Sequence, residues 1–261
     1  MFEILNRPYA DPSAFFLATS PWPMAVIVAF YMMFVLKLGR KFMAERKAYD
    51  LRAVLKVYNL IQIAFNALLF LTAVCYLTIS KTQSIHCMSI LPLDHPLKKI
   101  DRLLCYAYYI NKYFDLLDTI FIVFRKNYKQ ITALHIIHHL YMPVGGYFVI
   151  RLIGFGGHLM VMGVLNLFVH VVMYSYYYVA SQHSTNDKLI WWKPYITVLQ
   201  MLQFVIIAAH SLWTLMQPKC ETSRPLIYVT IFTSVGMLLM FTNFYVHAYI
   251  LPKKTKLKKS D

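Results

Sequence analysis

Three histidines, His135, His138 and His139, lie within a stretch, 131–150, that is apolar enough to cross a lipid bilayer. Ionisable side chains at membrane depth are costly to hold there and mark candidate functional sites. At about 100° per residue, the three side chains share an arc of about 100° on one helix. One helix face therefore presents an imidazole cluster, which suits either metal binding or nucleophilic and acid–base catalysis.

Three further apolar segments carry polar stripes at helical spacing. The stripes consist of Lys112, Asp115, Asp118 and Thr119; of Asn166, His170, Met173 and Tyr174; and of Thr197, Gln200 and Gln203. Taken singly, each stripe also fits a structural interpretation, as a Lys–Asp pair at i, i+3 or as hydrogen bonds between helices. Because all four stripes fall at compatible depth, the sequence predicts one buried polar chamber that opens towards the cytosol.

Membrane helices must position these stripes. The chain has 261 residues, of which 59% are hydrophobic and 14% charged, and this composition excludes disorder and an ordinary soluble domain. We predict an all-α membrane protein with a lumenal segment 1–22, a seven-helix membrane domain 23–250 and a cytosolic basic tail 251–261. The seven predicted spans, each suited to crossing about 30 Å of hydrocarbon, are 23–38, 57–80, 103–123, 131–150, 157–181, 190–216 and 226–250.

Charge sets the predicted orientation. Lysine and arginine follow the odd-numbered spans about twice as often as they occupy the other connections, which predicts a lumenal N-terminus and a cytosolic C-terminus. Without a basic soluble module, the net charge of +15 does not indicate nucleic acid. Anionic lipid headgroups account for part of this charge, and a phosphorylated substrate that enters from the cytosol could use the rest. Lys258 and Lys259 resemble a dilysine retrieval signal, which favours the endoplasmic reticulum. Cys87 and Cys220 both fall in predicted lumenal connections, so we predict a disulfide, with two free thiols as the alternative.

The histidine cluster leaves two kinds of chemistry open. Membrane desaturases and hydroxylases hold two irons with several histidine motifs, and this chain has one such motif plus His170, so only a single-metal site remains possible. In the other kind, an imidazole acts as nucleophile or general base. Asp115 and Asp118 would orient it, and Lys112, Asn166, Gln200 and Gln203 would donate hydrogen bonds to a carbonyl or oxyanion. A non-enzymatic alternative, a seven-helix transporter or receptor, would use the stripes as a binding site.

The four stripes together resemble the motifs of the ELO family of fatty-acid elongases, the 3-ketoacyl-CoA synthases of the endoplasmic reticulum. The family patterns KxxExxDT, HxxHH, NxxxHxxMY and TxxQxxQ occur here in order as KYFDLLDT, HIIHH, NLFVHVVMY and TVLQMLQ. The resemblance covers residues 20–261. Asp115 stands where the family pattern has Glu, as it does in insect members, and shortens that side chain by one methylene.

The resemblance implies condensation of a long-chain acyl-CoA with malonyl-CoA, without a metal or other cofactor, in a narrow acyl tunnel enclosed by six of the seven helices. It implies a ping-pong mechanism in which His138 forms an acyl-imidazole and His170, with Asn166, handles the malonyl group. His135 and His139 would support His138, while Arg125 and Lys126 would meet CoA phosphates. Implied partners are membrane lipid, the ketoacyl reductase, dehydratase and enoyl reductase of the elongation cycle, and a second copy of the chain. Further implied substrate-binding residues are Thr119, Tyr174, Gln200 and Gln203.

Overall fold

Helices make up the regular structure of the described residues, 8–80, 84–182 and 191–251 of the computed structural model, where the only β-type pairing is an isolated bridge between Ser84 and Cys87. Two of the helices contain a π-helical turn, Phe34–Leu38 in the first and Val246–Ile250 at the end of the last. The helices are α1 (Pro21–Met43), α2 (Arg52–Ser80), α3 (Lys98–Phe114), α4 (Leu117–Phe124), α5 (Ala133–Leu152), α6 (Leu159–Gln182), α7 (Lys193–Leu215) and α8 (Arg224–Ile250).

Five of these helices, α1, α2, α6, α7 and α8, are long and apolar enough to cross a membrane. The protein is therefore a multi-pass membrane protein, and their bounds lie within a few residues of the predicted spans. The predicted third span is divided into α3 and α4 by a turn at Asp115 and Leu116, and α3 begins with the charged residues of the sequence Lys98-Lys-Ile-Asp-Arg102. The 20 residues of α5 carry three histidines and Pro143, which lower its hydropathy.

Six helices contact one another in a closed cycle, α2–α6–α7–α8–α5–α3 and back to α2. Within this cycle α2 with α3, α6 with α7 and α7 with α8 are neighbours in both sequence and space, while the other three contacts join helices that are distant in the chain. The outer helix α1 packs against α5 and, through its last turns, against α4. Two apolar clusters, one containing Tyr31, Val35 and Leu116 and the other Met24 and Tyr147, fix α1 there.

One end of the bundle is covered by the N-terminal segment and by the connection 84–97. Cys87 and Cys220 are joined by a disulfide, with Cα atoms 5.5 Å apart, which confirms the predicted pairing. Thr222 Oγ1 donates to the Met88 carbonyl at 3.0 Å and so supports the same crossing. Burial alone would raise the pKa of the Asp11 carboxyl, but hydrogen bonds from Arg102 and from the Ser13 backbone hold that pKa below its usual range.

Candidate active site

A buried ion pair forms the centre of the polar site. Lys112 Nζ, on the last turn of α3, donates to Asp115 Oδ2 at 3.0 Å and to Asn166 Oδ1, on α6, at 2.9 Å. Tyr108 also donates to Asn166 Oδ1 at 2.9 Å, and its ring lies 4.7 Å from Lys112 Nζ. Lys112 and Asp115 are three residues apart, so their side chains lie next to each other across the end of α3. The structure thus brings the predicted stripe that contains Lys112 and Asp115 into direct contact with the stripe that contains Asn166.

Asp118 and Asp115 are joined by a single phenol. Tyr174 lies on α6 and is fully buried, and its hydroxyl lies 3.0 Å from Asp115 Oδ1 and 2.8 Å from Asp118 Oδ2. His170, one turn earlier on α6, places Nδ1 3.7 Å from Asp115 Oδ2, which is an ionic contact if the imidazole is protonated but too long for a hydrogen bond. His170 Nδ1 is buried without a hydrogen-bond partner among the described residues. A buried polar atom of this kind is available to a substrate.

A fifth polar stripe, on α2, was missed by the sequence analysis. Tyr58, Gln62 and Asn66 recur every fourth residue and are buried. Gln62 Nε2 donates to Asp115 Oδ1 at 3.0 Å, while Asn66 receives a hydrogen bond of 3.1 Å from Asn111 on α3. The spacing of four residues was the available signal, because it puts all three side chains on one helix face.

The three histidines of α5 occupy different environments. Thr132 caps the start of α5 and its Oγ1 accepts the backbone N–H of His135 at 3.2 Å. The His135 ring contacts Thr119, whose Oγ1 lies 2.7 Å from Nε2. His139 is buried between the other two rings, with centroid distances of 4.3 Å to His135 and 5.5 Å to His138. His138 is only partly buried, and it faces a cavity.

Two cavities meet inside the cycle of helices. The smaller, of about 30 Å³, is lined by His138, Asn166 and Gln203, while the larger, of about 120 Å³, extends among apolar side chains and glycines of α2, α3, α5, α6 and α8. Gln203 Oε1 is buried and lacks a hydrogen-bond partner within the described ranges. The shared lining, which places the polar and apolar spaces side by side, consists of Tyr108, Tyr141, Met142, Met162 and Thr233.

Not every predicted residue reaches this site. Gln200 donates to the sulfur of Met173 at 3.6 Å, so it contacts the α6 stripe rather than the ion pair. Arg125 and Lys126 follow the end of α4, outside the chamber, and Lys126 donates to the Ala44 carbonyl at 3.1 Å. Lys258 and Lys259 lie outside the described residues.

Metal binding gains no support from the side-chain arrangement. Within the part of the chain that the structure describes, no group of three or more His, Cys, Asp or Glu side chains is placed to hold a metal ion. His135 Nε2 lies 2.7 Å from Thr119 Oγ1, and the His139 ring packs against the rings of His135 and His138.

A multi-pass helical membrane protein with a histidine-lined polar chamber is the class that the fold and the site define. Residues 16–257 match the model of the ELO, or GNS1/SUR4, family, and the chain belongs to this family. It is 40% identical over 250 residues to very long chain fatty acid elongase F of Drosophila melanogaster, covering 96% of this chain and 97% of that one. It is 34% identical to very long chain fatty acid elongase 7 of Rattus norvegicus, covering 92% of this chain and 86% of that one.

Proposed function

We propose that this protein is the condensing enzyme of fatty-acid elongation, which joins a long-chain acyl-CoA to malonyl-CoA and releases 3-oxoacyl-CoA, carbon dioxide and CoA. Membership of the elongase family supports this function. The observation that carries the proposal is the position of His138. Of the three α5 histidines, His138 alone lines the cavity shared with Asn166 and Gln203.

In the first half-reaction, a ring nitrogen of His138 attacks the thioester carbonyl. The carbon–sulfur bond breaks, the imidazole becomes acylated, and the proton displaced from the ring passes to the CoA sulfur. His can form such covalent acyl intermediates. Gln203 contributes an amide to the pocket, and its N–H groups suit the developing oxyanion.

In the second half-reaction, malonyl-CoA loses carbon dioxide, and the resulting enolate carbon attacks the acyl group. A carbon–carbon bond forms as the bond to His138 breaks, and the imidazole regains a proton from solvent. Lys112 and His170 would act in this step. The lysine supplies a positive charge beside Asn166. The unpartnered Nδ1 of His170 can interact with the malonyl carboxylate or with the enolate. Asp115 contacts both Lys112 and His170, and Tyr174 links Asp115 to Asp118.

The apolar cavity is the proposed site of the acyl chain. The proposal counts α3 with α4 as the third of seven crossings and α5 as the fourth. It places an acyl tunnel inside the six-helix contact cycle, of which α2, α3, α5, α6 and α8 line the apolar cavity. An apolar space next to a polar pocket suits a substrate with a reactive head and a hydrocarbon tail. Chain-length preference would then depend on the far end of this space, between α3, α5 and α6.

The same proposal includes location and partners. The disulfide favours an oxidising compartment for the end that carries the connection 84–97. That end would face the lumen of the endoplasmic reticulum, with residues 1–22 on the lumenal side and 251–261 in the cytosol. CoA phosphates would meet Arg125 and Lys126 at the cytosolic entrance. The ketoacyl reductase, dehydratase and enoyl reductase of the cycle would take the product onward, and a second copy of the chain is a further partner.

The test incubates purified protein with malonyl-CoA and acyl-CoAs of graded length, and identifies the products by mass spectrometry. We expect 3-oxoacyl-CoA two carbons longer than the substrate. His138→Ala should abolish turnover, and acyl-CoA alone should leave an acyl mass on the wild-type peptide that contains His138. His247→Ala is the matched control, because His247 is exposed and its hydrogen bond among the described residues is to the Asn243 carbonyl of its own helix. Wild-type turnover by the folded His138→Ala variant would disprove the nucleophile assignment, and loss of turnover on chelation would favour a metal enzyme.

A further inference from the structure

A hydrogen-bonded chain connects the outer helix α1 to the histidine cluster. Tyr31 lies on α1, is 3% exposed, and places its hydroxyl 2.8 Å from Thr119 Oγ1 on α4. Thr119 Oγ1 lies in turn 2.7 Å from His135 Nε2 on α5. Thr119 is fully buried, and both contacts are at direct hydrogen-bond distance. A helix outside the cycle thus contacts the site through one hydroxyl group.

The direction of donation follows from the number of available protons. Thr119 is the hydrogen-bond partner of Tyr31 within the described residues. If His135 donated from Nε2, Thr119 would accept, and either the tyrosine or the threonine proton would be buried without an acceptor, which is unfavourable. Donation from Tyr31 to Thr119, and from Thr119 to His135, leaves both hydroxyl protons with an acceptor. This order requires His135 Nε2 to be unprotonated, so the proton of the neutral ring is on Nδ1.

We infer that Tyr31 is a positioning residue, which sets the tautomer and ring orientation of His135 through Thr119 and thereby orients His138. The inference rests on the proposed function, in which His138 is the nucleophile. The rings provide the connection, since His135 packs on His139 at 4.3 Å and His139 meets the ring of His138 edge-on at 5.5 Å. If the His135 ring rotated, or if its proton moved to Nε2, these ring contacts would change and the His138 ring would shift.

Loss of the Tyr31 hydroxyl removes one of the two contacts that hold the Thr119 hydroxyl towards His135. The threonine could then turn its hydroxyl to a carbonyl of its own helix, as threonines in helices often do, and the His135 ring would be left without a fixed tautomer or orientation. The backbone contact of His135 to Thr132 is unaffected, so α5 still begins at the same place. The expected effect is a smaller population of correctly oriented His138, rather than an unfolded protein.

The first test uses Tyr31→Phe and follows CoA release from acyl-CoA in the absence of malonyl-CoA, under single-turnover conditions. We expect the rate to fall roughly tenfold, the equivalent of one net hydrogen bond. The amplitude should stay at the wild-type value, whereas a partly unfolded preparation would lower it. Tyr147→Phe is the matched control, because Tyr147 is equally buried beside α1 while its hydroxyl lies 3.4 Å from Tyr9, away from the site.

A double-mutant cycle separates positioning from packing. Thr119→Ser keeps the hydroxyl and should retain most of the rate, while Thr119→Val removes it and should slow the reaction at least as much as Tyr31→Phe. In the Thr119→Val background, Tyr31→Phe should have no further effect, because the chain is already broken. An equal loss in both backgrounds, or a wild-type rate for Tyr31→Phe, would overturn the inference alone. Absence of CoA release from the wild type would overturn the proposed function and this inference with it.

Discussion

The Lys112–Asp115 pair should be more sensitive to loss of the acid than to loss of the base. Removing Asp115 leaves a buried lysine with one hydrogen-bond acceptor, Asn166 Oδ1 at 2.9 Å. Removing Lys112 leaves a carboxylate that still accepts from Gln62 and Tyr174, each at 3.0 Å. The two residues are therefore unequal partners, although they form a single ion pair.

The magnitudes follow from this difference. Breaking a buried pair by removing one partner costs about 3–5 kcal/mol, and we expect that full loss for Asp115→Asn. Two hydrogen bonds that remain, at about 1 kcal/mol each, reduce the expected loss for Lys112→Met to about 1–3 kcal/mol. The double variant Lys112→Met/Asp115→Asn holds no unpaired charge. It should be more stable than Asp115→Asn alone, although it carries one more substitution.

The assay is the free energy of unfolding, obtained by denaturant titration of purified protein in one detergent. Lys219→Met serves as control, because Lys219 is exposed and its loss should change stability by less than about 0.5 kcal/mol. The reasoning is refuted if the two single variants lose equal stability. It is equally refuted if the losses add in the double variant, since additivity would mean that the two charges do not interact.

Two further predictions concern the covered end of the bundle. Replacing Cys87 and Cys220 by serine should cost up to about 4–5 kcal/mol, the loop-closure value for a separation of 133 residues, with wild type under reducing conditions unfolding like the variant. Gly156→Ala should destabilise by about 2–4 kcal/mol, because Gly156 has φ +95° and a Cβ there would overlap the Asp101 carboxylate. Gly236→Ala has open space around it and should be neutral or stabilising; equal losses for the two glycine variants in thermal unfolding would contradict this explanation.

Sequence predicted the convergence of the stripes correctly, since hydrogen bonds join Lys112 to Asn166 and Tyr174 to Asp118. Depth in the membrane and helical spacing sufficed for that, because both are local properties. The turn at Asp115 and Leu116 in the third span was missed, because no proline or glycine there marks the end of a helix. The i, i+3 spacing of Lys112 and Asp115 is compatible with an unbroken helix and so gave no sign of the turn.

The α2 stripe and Tyr31 were missed for a different reason. Gln62 and Asn66 show the spacing of a buried face, but only the rotation of α2 about its axis decides whether that face meets Asp115 or another apolar helix. The pairing of α2 with α6 across the chain sets this rotation. Tyr31 is one of 20 tyrosines, and its sequence position does not distinguish it from a tyrosine at the lipid interface.

The disulfide makes residues 87–220 a covalently closed loop. That loop contains α3 to α7 and with them all four sequence motifs, whereas α1, α2 and α8 are attached to it as open ends. A single peptide cleavage within the loop would leave one molecule with its motifs still linked, while a cleavage between α1 and α2 would release Tyr31 from the rest. Formation of the Cys87–Cys220 disulfide thus divides the chain into a covalently closed portion that carries the four motifs and two open ends, one with α1 and α2 and the other with α8. The linear order of the helices does not suggest this division.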